Sequence, residues 1–283
     1  MWHGNNLPSW INPIIPFGKP LTALSEQELE QLCLRLAKFK HPNPLVSIVI
    51  PLYNEEKNII ANLDSLSHTI SDKAIEIVLV DNNCTDGTTH TITSLGLSYV
   101  RQTIQSVSHS RQKGLEVAKG SIIINCDADT LYPPAYIDIL VNQLERDKEI
   151  SCVYTRYSFL PSEFRTRLDY TLYEKISGLL FSIRRRRKEY LNVMGFCFAF
   201  RKADALEIGG FNTSRPLWSD GWMAMKLLKL GKIKLVTDEK SRVFTSDRRL
   251  QVHGSLWKAF VFRVHKEKSR IKEYFMLSTL KPN

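Results

Sequence analysis

The chain has 283 residues, 43% hydrophobic and 24% charged, a composition that is ordinary for a globular protein and a length that allows one large α/β domain with appended segments. No apolar run approaches the roughly 18 to 20 residues of a bilayer span, which excludes a membrane-spanning helix. The net charge of +10 is unevenly spread, because residues 1–150 carry 12 Lys and Arg against 17 Asp and Glu, and residues 151–283 carry 27 against 12.

The first 44 residues are predicted to form an arm and a helix ahead of the main domain. Residues 1–20 contain several prolines and no regular period, so we expect an extended arm packed on the body. Ser25 and Glu28 form a capping box, and the leucines at 29, 32, 34 and 36 predict a helix with one apolar face. The two prolines of residues 41–44 end this helix and make a linker.

From residue 45 to residue 250, strand patterns alternate with helix patterns. Apolar, β-branched runs predict strands at 46–50, 75–81, 97–101, 122–126, 151–157 and 193–201. Helices are predicted at 56–66, from 88 onwards, and at 106–118, 133–147, 164–188 and 219–230. This alternation predicts an α/β domain with a mostly parallel central sheet and helices on both faces. Residues 251–283 are predicted to form a basic amphipathic helical tail.

Two carboxylates, Asp127 and Asp129, directly follow the predicted strand at 122–126. Side chains alternate along a strand, so residues spaced i, i+2 project to the same side. Paired hard oxygen ligands at the mouth of an α/β sheet suit Mg²⁺ or Mn²⁺ shared with a substrate diphosphate. Taken alone, the pair has a second interpretation as solvated turn carboxylates, since turns favour Asp.

The motifs around this pair resemble those of the family 2 glycosyltransferases, which have the nucleotide-diphospho-sugar transferase (GT-A) fold. Residues 46–56 (VSIVIPLYNEE) resemble the opening strand and loop of that family, and residues 77–88 (IVLVDNNCTDGT) its second strand and D-x-S-x-D-G-T turn. Residues 110–120 (SRQKGLEVAKG) match its A-R-N-x-G…A-x-G helix. The resemblance spans about residues 46–250. The order of these motifs favours the metal–diphosphate interpretation of the Asp pair.

The resemblance implies a donor site at the crevice where the first two parallel strands end. Pro51 and Tyr53 would frame the base, Glu55 would accept a hydrogen bond from the ribose or base, and Asp81 would accept one from the uracil ring N–H. The remaining donor contacts would come from Arg111, toward the base or diphosphate, and from Asp127, Ala128 and Asp129 around the metal and diphosphate. The alternative for each residue alone is turn, cap or solvated-charge chemistry.

The resemblance also implies a catalytic base, since a carboxylate can take the proton of an acceptor hydroxyl. Residues 219–231 (SDGWMAMKLLKLG) resemble the E-D-x-D-L-x-x-R-x-x-x-x-G segment, with Asp220 at the base position. Ser219, Trp222 and Lys226 depart from the pattern, and the neighbours Ser219 and Trp222 are predicted to line the acceptor side. The alternative interpretation of Asp220 is a helix N-cap.

Three further segments match the family. Gly195 is predicted to let the acceptor or sugar approach the backbone closely. Arg248 and Arg249 lie in a T-S-x-R-R segment, and two adjacent arginines suit a diphosphate through bidentate charge-assisted bonds, the alternative being a solvated charge cluster. His253 is a candidate third metal ligand beside Asp127 and Asp129, because a C-terminal His completes the site in some members of the fold; the alternative is a surface histidine.

Charge and cysteine content indicate the surroundings and partners. The five cysteines are odd in number and form no Cys-x-x-Cys pair, which favours buried free thiols in a reducing cytoplasm over disulfides or zinc. The N-terminus lacks the regions of a signal peptide. We therefore expect a cytoplasmic protein. The basic half indicates an anionic partner, either a phosphorylated substrate or a lipid surface. Residues 184–188 (RRRRK) are predicted to make peripheral contact with the inner face of a membrane, and their alternative interpretation is a solvated helix end. Nucleic acid is disfavoured, because no nucleic-acid-binding signature accompanies the charge.

These features predict a metal-dependent, inverting, hexosyltransferase-type enzyme that uses a nucleotide-diphospho-sugar, UDP-linked, with Mn²⁺ or Mg²⁺. Its acceptor would be a saccharide or lipid-linked hydroxyl in surface polysaccharide or glycolipid synthesis. One rival is a sugar-phosphate nucleotidyltransferase, but such enzymes carry a Gly-rich loop after the first strand, where this chain has Pro51–Glu55. The other rival is a non-catalytic protein that binds anionic surfaces on the same scaffold.

Overall fold

The computed structural model describes residues 7–161, 166–214 and 218–251, with residues 258 and 261. Over these residues the strands are β1 (Val46–Leu52), β2 (Ile75–Asp81), β3 (Tyr99–Arg101), β4 (Ile122–Asn125), β5 (Thr130–Leu131), β6 (Ile150–Thr155), β7 (Tyr157–Phe159), β8 (Phe198–Arg201), β9 (Lys232–Val236) and β10 (Val243–Thr245). The helices are α1 (Glu26–Leu36), α2 (Ile59–Ser67), α3 (Thr88–Ser94), α4 (Val107–Val117), α5 (Tyr136–Arg146), α6 (Arg167–Arg187), α7 (Lys202–Glu207), α8 (Ser219–Leu227) and α9 (Arg248–Gln251).

The central sheet has seven strands in the order β3-β2-β1-β4-β8-β6-β9. All its pairings are parallel except the two made by β8, which runs antiparallel between β4 and β6. The predicted mostly parallel α/β sheet is therefore confirmed. Because β1, β2 and β4 run in the same direction, the loops that follow them leave from one edge of the sheet. That edge brings residues 53–55, 82–84 and 127–129 into one region.

Helices cover both faces of this sheet, as predicted. On one face, Leu63 of α2 and Leu140 of α5 belong to the same buried cluster as Ile48 of β1. On the other face, Leu115 of α4 packs with Val49 of β1 and with residues of α7 and α8. Since successive side chains of a strand point to opposite faces, a strand buried on both faces needs a continuous apolar run. This requirement explains why 46–50 and 122–124 were recognisable from sequence.

Two glycines allow α4 to lie close to the sheet. A Cβ on Gly114 would lie 2.3 Å from Cγ1 of Val49, and one on Gly120 would lie 2.7 Å from the backbone nitrogen of Ser47. Any larger residue at either position would push the helix away from β1. The close packing of α4 against β1 also sets the position of Arg111, which lies on the same helix.

A second sheet, which the sequence patterns did not predict, contains three strands in the order β5-β10-β7. The strand predicted at 151–157 is in fact two strands, β6 in the central sheet and β7 in the small one, separated at Arg156. The strand predicted at 193–201 begins only at Phe198, because the backbone N–H of Gly195 donates to a side chain instead of a neighbouring strand. The strands β5, β9 and β10 were also missed.

The N-terminal region packs on the body as expected, but it is not extended throughout, because a 3-10 helix forms at Ser9–Ile11 and another at Leu21–Ala23. Ile11 and Ile14 are buried, and the capping box of Ser25 and Glu28 at the start of α1 is confirmed. Leu34 is 62% exposed, so the apolar face of α1 is narrower than predicted. The five cysteines are free thiols, and Cys126, Cys152 and Cys197 are buried. Burial raises the pKa of the Cys197 thiol to about 12, which keeps it protonated and unreactive.

The helix predicted at 164–188 is present as α6, which starts at a capping box formed by Thr166 and Asp169. None of the helices in the described part of the chain combines the length and apolarity that crossing a bilayer requires. Most of the tail predicted over 251–283 lies outside the described residues, which there include only Gln251, Lys258 and Val261.

Candidate active site

A cleft of about 490 Å³ opens where β1 and β4 end. The predicted donor-site residues that line it are Pro51, Tyr53, Glu55, Asp127, Ala128, Asp129 and Arg248. The sequence positions of these residues span almost two hundred residues, and α9 brings the last of them to the others. The structure thus places seven of the predicted donor residues around one cavity.

The backbone of the Asp pair is held from below by buried polar groups. The N–H of Asp127 donates to the hydroxyl oxygen of Tyr132 at 2.9 Å, and that hydroxyl donates to the carbonyl of Phe196 at 2.9 Å. The amide of Asn62 donates to the carbonyl of Asp127 at 3.0 Å. Burial raises the pKa of Tyr132 well above its ordinary value, so its hydroxyl keeps the proton that it donates. These bonds fix the backbone from which the carboxylates extend.

Arg248 bridges two carboxylates across the cleft. Its Nη2 donates to Glu55 Oε1 at 2.8 Å and to Asp129 Oδ2 at 3.2 Å, and the hydroxyl of Ser246 donates to the same Asp129 oxygen at 3.2 Å. Burial lowers the pKa of Arg248, but the hydrogen bonds and charges of Glu55 and Asp129 outweigh it and leave the pKa raised. The cleft is therefore lined by three carboxylates, those of Glu55, Asp127 and Asp129, and by one permanent cation, Arg248.

Arg111 lies beneath the cleft instead of lining it. The residue is 4% exposed, its Nη2 donates to Asp127 Oδ1 at 3.0 Å, and its Nη1 donates to Ser219 Oγ at 3.0 Å. Arg111 thus contacts two other predicted site residues, and its predicted contact with the base or diphosphate stays a prediction. The alternative of a solvated helix charge is wrong, because the side chain is buried.

Asp220 lies in the first turn of α8, which begins at Ser219. Its Oδ2 accepts from the backbone N–H of Gly195 at 2.8 Å, and its Oδ1 accepts from the N–H of Gly221 at 3.0 Å. The N-cap position is Trp218, which has a left-handed backbone with φ of 57°. The N-cap interpretation of Asp220 is therefore wrong, and its carboxylate is instead oriented by two backbone donors.

Gly195 lies directly against Arg111. A Cβ at this position would lie 1.9 Å from Nη2 of Arg111, so the guanidinium fills the space that a larger residue would need. The predicted close approach of a sugar or acceptor to this backbone stays a prediction. Gly195 does contribute to the site, through its N–H bond to Asp220.

A family model, described as glycosyl transferase family 2, matches residues 47–209, more than half of the chain. The chain belongs to this family. Its curated relatives include a chondroitin synthase of Escherichia coli, 28% identical over 118 residues, and a dolichol-phosphate mannosyltransferase of Pyrococcus furiosus, 28% identical over 117. Each match covers 40% of this chain, but only 17% and 33% of the respective relatives. Membership in the family favours a glycosyltransferase over a nucleotidyltransferase.

The solved structures that share the fold of this family 2 chain include the following two. Staphylococcus aureus TarS in complex with UDP aligns with a TM-score of 0.56 at 16% identity, over 71% of this chain and 60% of that one. The mannosyltransferase PcManGT from Pyrobaculum calidifontis, in complex with GDP-Man and Mn²⁺, aligns with a TM-score of 0.55 at 22% identity, over 75% and 61%. At these identities the likeness concerns the fold, and it confirms the GT-A architecture.

Other predicted site residues of this family 2 chain lie outside the cleft. Asp81 is buried, and its Oδ1 accepts from the N–H of Cys84 at 2.8 Å; the next residue, Asn82, lines the cleft instead. Ser219 and Trp222, predicted for the acceptor side, are both buried. Their predicted roles, and that of Asp81 toward uracil, stay predictions.

Metal ligation was predicted for Asp127, Asp129 and His253. His253 and the side chain of Arg249 lie outside the described residues. Within the described ranges, no group of three or more His, Cys, Asp or Glu side chains is arranged to hold a metal ion. The carboxylates of Asp127 and Asp129, which line the cleft, fit Mg²⁺ or Mn²⁺, because such ions take one or two protein carboxylates and complete their shell with water and substrate phosphate.

Sequence patterns missed three polar contributors to the cleft. Asn54 and Asn82 line it, and Ser246 bonds Asp129. Ser246 had a usable signal, since it stands in the same short segment as Arg248, but its partner is 117 positions away in the chain. Asn82 follows a recognisable strand, although only the three-dimensional path of the loop shows that it, and not Asp81, reaches the cavity.

Proposed function

We propose that this protein transfers a hexose from a nucleotide-diphospho-sugar, UDP-linked, to an acceptor hydroxyl, with inversion at the anomeric carbon and with Mn²⁺ or Mg²⁺. The observation that carries the proposal is the cleft at the ends of β1 and β4, where Asp127, Asp129 and Arg248 meet. Clefts at this edge of an open α/β sheet are where nucleotides bind. The UDP of TarS and the GDP-Man of PcManGT, bound by proteins of the same fold, support a nucleotide-linked donor.

The charges of the cleft suit a metal–diphosphate pair. Glu55, Asp127 and Asp129 carry three negative charges against two cations, Arg248 and the buried Arg111 that bonds Asp127. The remaining excess of one negative charge favours a divalent cation. A bound metal would supply charge neutralisation for the leaving diphosphate. Arg248 would turn donors that now bond Glu55 and Asp129 toward phosphate oxygens, for which its fork geometry is suited. Pro51 and Tyr53 would lie beside the base.

Asp220 would act as the base. Its carboxylate is held by the N–H groups of Gly195 and Gly221, and each oxygen keeps a second lone pair that can accept a proton from an acceptor hydroxyl. It does not line the cleft itself and is linked to it through Ser219 and Arg111. An acceptor activated there would attack the anomeric carbon from the face opposite to the diphosphate, which produces inversion.

We also propose that the protein works at the inner, anionic surface of a membrane, on a saccharide or lipid-linked acceptor. The long helix α6 supports this. Leu168, Leu179 and Ile183 are 74%, 67% and 59% exposed, and at about 100° per residue they lie on one side of the helix. Arg185 and Arg186 are exposed at its C-terminal end. Exposed apolar residues beside cations are typical of helices that lie on anionic bilayers.

A screen of nucleotide-sugars by thermal shift and turnover tests the donor proposal. We expect UDP-sugars with Mn²⁺ to stabilise the protein and to be consumed, and EDTA to abolish both effects. Asp129→Ala should remove the Mn²⁺-dependent binding of UDP measured by calorimetry, whereas Asp72→Ala, at a carboxylate that is 89% exposed and far from the cleft, should not. Pyrophosphate release from a nucleoside triphosphate, or UDP binding equal with and without Mn²⁺, would contradict the proposal.

A further inference from the structure

Arg111 connects the two halves of the proposed site from beneath. Its guanidinium bonds Asp127 with one terminal nitrogen and Ser219 with the other, both at 3.0 Å. Asp127 lines the donor cleft, and Ser219 immediately precedes Asp220 in α8. Because a guanidinium is planar and its donors diverge at fixed angles, one group sets the separation of both partners.

A second path leads from Arg111 to Asp220. The guanidinium lies so close to Gly195 that a Cβ there would overlap Nη2, and the N–H of the same Gly195 donates to Asp220 at 2.8 Å. Moving or removing the guanidinium would leave space beneath this backbone. Asp220 is thus supported by Arg111 through the preceding residue of its own helix and through its backbone donor.

Stability alone gives little reason for this arrangement. Arg111 is a buried cation, and its Nε has no hydrogen-bond acceptor among the described residues. A buried ion pair seldom stabilises a fold more than apolar side chains of the same volume, and an unpaired buried donor adds a cost. At position 219 a neutral serine stands where the family pattern has Glu, so the guanidinium meets one carboxylate and one hydroxyl.

We propose that Arg111 is a positioning residue that couples the donor–metal carboxylate Asp127 to the base Asp220. This inference rests on the proposed function, since it assigns Arg111 a role between two groups of that site. Arg111 touches neither donor nor acceptor in this role. It acts by holding Asp127 and the start of α8 at one distance, so that donor binding and proton transfer depend on the same side chain.

The test compares four variants with the wild-type protein by UDP–Mn²⁺ calorimetry and by kcat with a UDP-sugar. Asp127→Asn should weaken Mn²⁺-dependent binding. Ser219→Ala should lower kcat about 2- to 10-fold, the worth of one hydrogen bond, and leave the UDP Kd unchanged. The ammonium of Arg111→Lys can bond Asp127 or Ser219 but not both. This variant should therefore weaken the Mn²⁺-dependent binding of UDP and lower kcat, each by about 10- to 100-fold. Lys119 is an exposed cation just after the same helix, and Lys119→Met should change neither the UDP Kd nor kcat.

Chemical rescue separates positioning from structural support. Guanidinium ions added at sub-denaturing concentration should restore kcat to Arg111→Ala, and should not raise the activity of Lys119→Met. An Arg111→Ala protein with native circular dichroism and no rescue would overturn the inference, as would wild-type kcat and Mn²⁺ half-saturation in Arg111→Lys. Should Arg111→Ala not fold, Arg111→Lys and Ser219→Ala decide. If Asp127→Asn binds UDP normally, the proposed function itself fails, whatever Arg111 does.

Discussion

At the residue scale, the most direct prediction concerns Asp220. Asparagine has nearly the same shape but accepts no proton, so Asp220→Asn should lower kcat by about 10²- to 10⁴-fold, the usual contribution of a general base. One backbone donor, from Gly195 or Gly221, would still find the amide oxygen, and the cleft would keep its shape. The UDP Kd should therefore stay within about twofold. The measurement is turnover of a UDP-sugar beside calorimetry of UDP binding.

A control for Asp220→Asn is Asp204→Asn, at a half-buried carboxylate on α7 that bonds Arg201 and lies outside the cleft. It should transfer sugar at the wild-type rate. Transfer by Asp220→Asn within a fewfold of wild type would remove Asp220 from the base role. A parallel loss of UDP binding would instead indicate that the change disturbs the donor cleft.

The residues of the site were predictable to different extents. Asp127 and Asp129 were noticed because they directly follow a strand that is contiguous with them in sequence. The order of the family motifs around them then favoured a metal–diphosphate role over turn carboxylates. Arg111 was identified as a site residue, but the partners of its side chain were not, because they are 16 and 108 positions away in the chain. Spacing along a chain carries no information about contacts of that kind. The guanidinium of Arg111 leaves no space for a side chain at position 195. This requirement for glycine could not be predicted either, because the two residues are distant in the chain.

At the scale of elements, α6 carries a prediction about membrane contact. Replacing both Arg185 and Arg186 by Gln removes two exposed charges, each worth about 1 kcal/mol at an anionic surface. Partitioning onto vesicles that contain phosphatidylglycerol should fall by 10-fold or more, and Leu179→Ser should weaken it further. Co-sedimentation at low and moderate salt measures both effects.

Matched controls exist elsewhere on the surface. Lys229 and Lys234 are exposed, and their double change to Gln removes the same charge; Ile70→Ser removes an apolar side chain that is 74% exposed. None of the three should affect vesicle binding by more than about twofold, given the screening of distant charges. Equal binding to vesicles with and without anionic lipid, or equal loss in variants and controls, would exclude α6 as the contact.

Most elements whose periodicity extended over a full turn or a full buried strand were predictable, although the five-residue strand β9 was missed. β2 has the bounds predicted from its apolar run, and α4 differs by one residue at each end. β5 has two residues and β10 three, too few to show a pattern, and their pairing with each other is long-range. The run at 151–157 is continuous in sequence, but its last residues pair with β10, which a local pattern cannot reveal.

At the scale of the whole molecule, the two halves of the chain contribute opposite charges to one cleft. Glu55, Asp127 and Asp129 come from the acidic half, and Arg248 from the basic half. The charge asymmetry seen in the sequence thus contributes to the assembly of the site as well as to its surface. Because the small sheet β5-β10-β7 joins the loop of the Asp pair to the segment before Arg248, its pairing also brings the two charges together.

Asp64 unites the N-terminal region with the body. Its Oδ2 accepts from the N–H of Ile15 at 2.8 Å, and its Oδ1 accepts from Nη2 of Arg35 at 2.7 Å, so one buried carboxylate on α2 holds both the arm and α1. Burial raises the pKa of Asp64, but hydrogen bonds from His68, Ile15 and Arg35 outweigh it and leave the pKa below its ordinary value of 3.8.

The last prediction is that Asp64→Asn lowers the free energy of unfolding by about 1 to 3 kcal/mol at neutral pH, the range for hydrogen bonds to a charged group. Because the folded pKa is depressed, the contribution of the carboxylate is fully present above about pH 4 and is lost as the pH falls through the lower folded value. Urea unfolding of both proteins at several pH values measures this difference. The exposed Asp72→Asn should show almost none at any pH. A difference for Asp64→Asn that persists unchanged at the lowest pH where the protein still folds would show that the loss arises from packing and not from the charge.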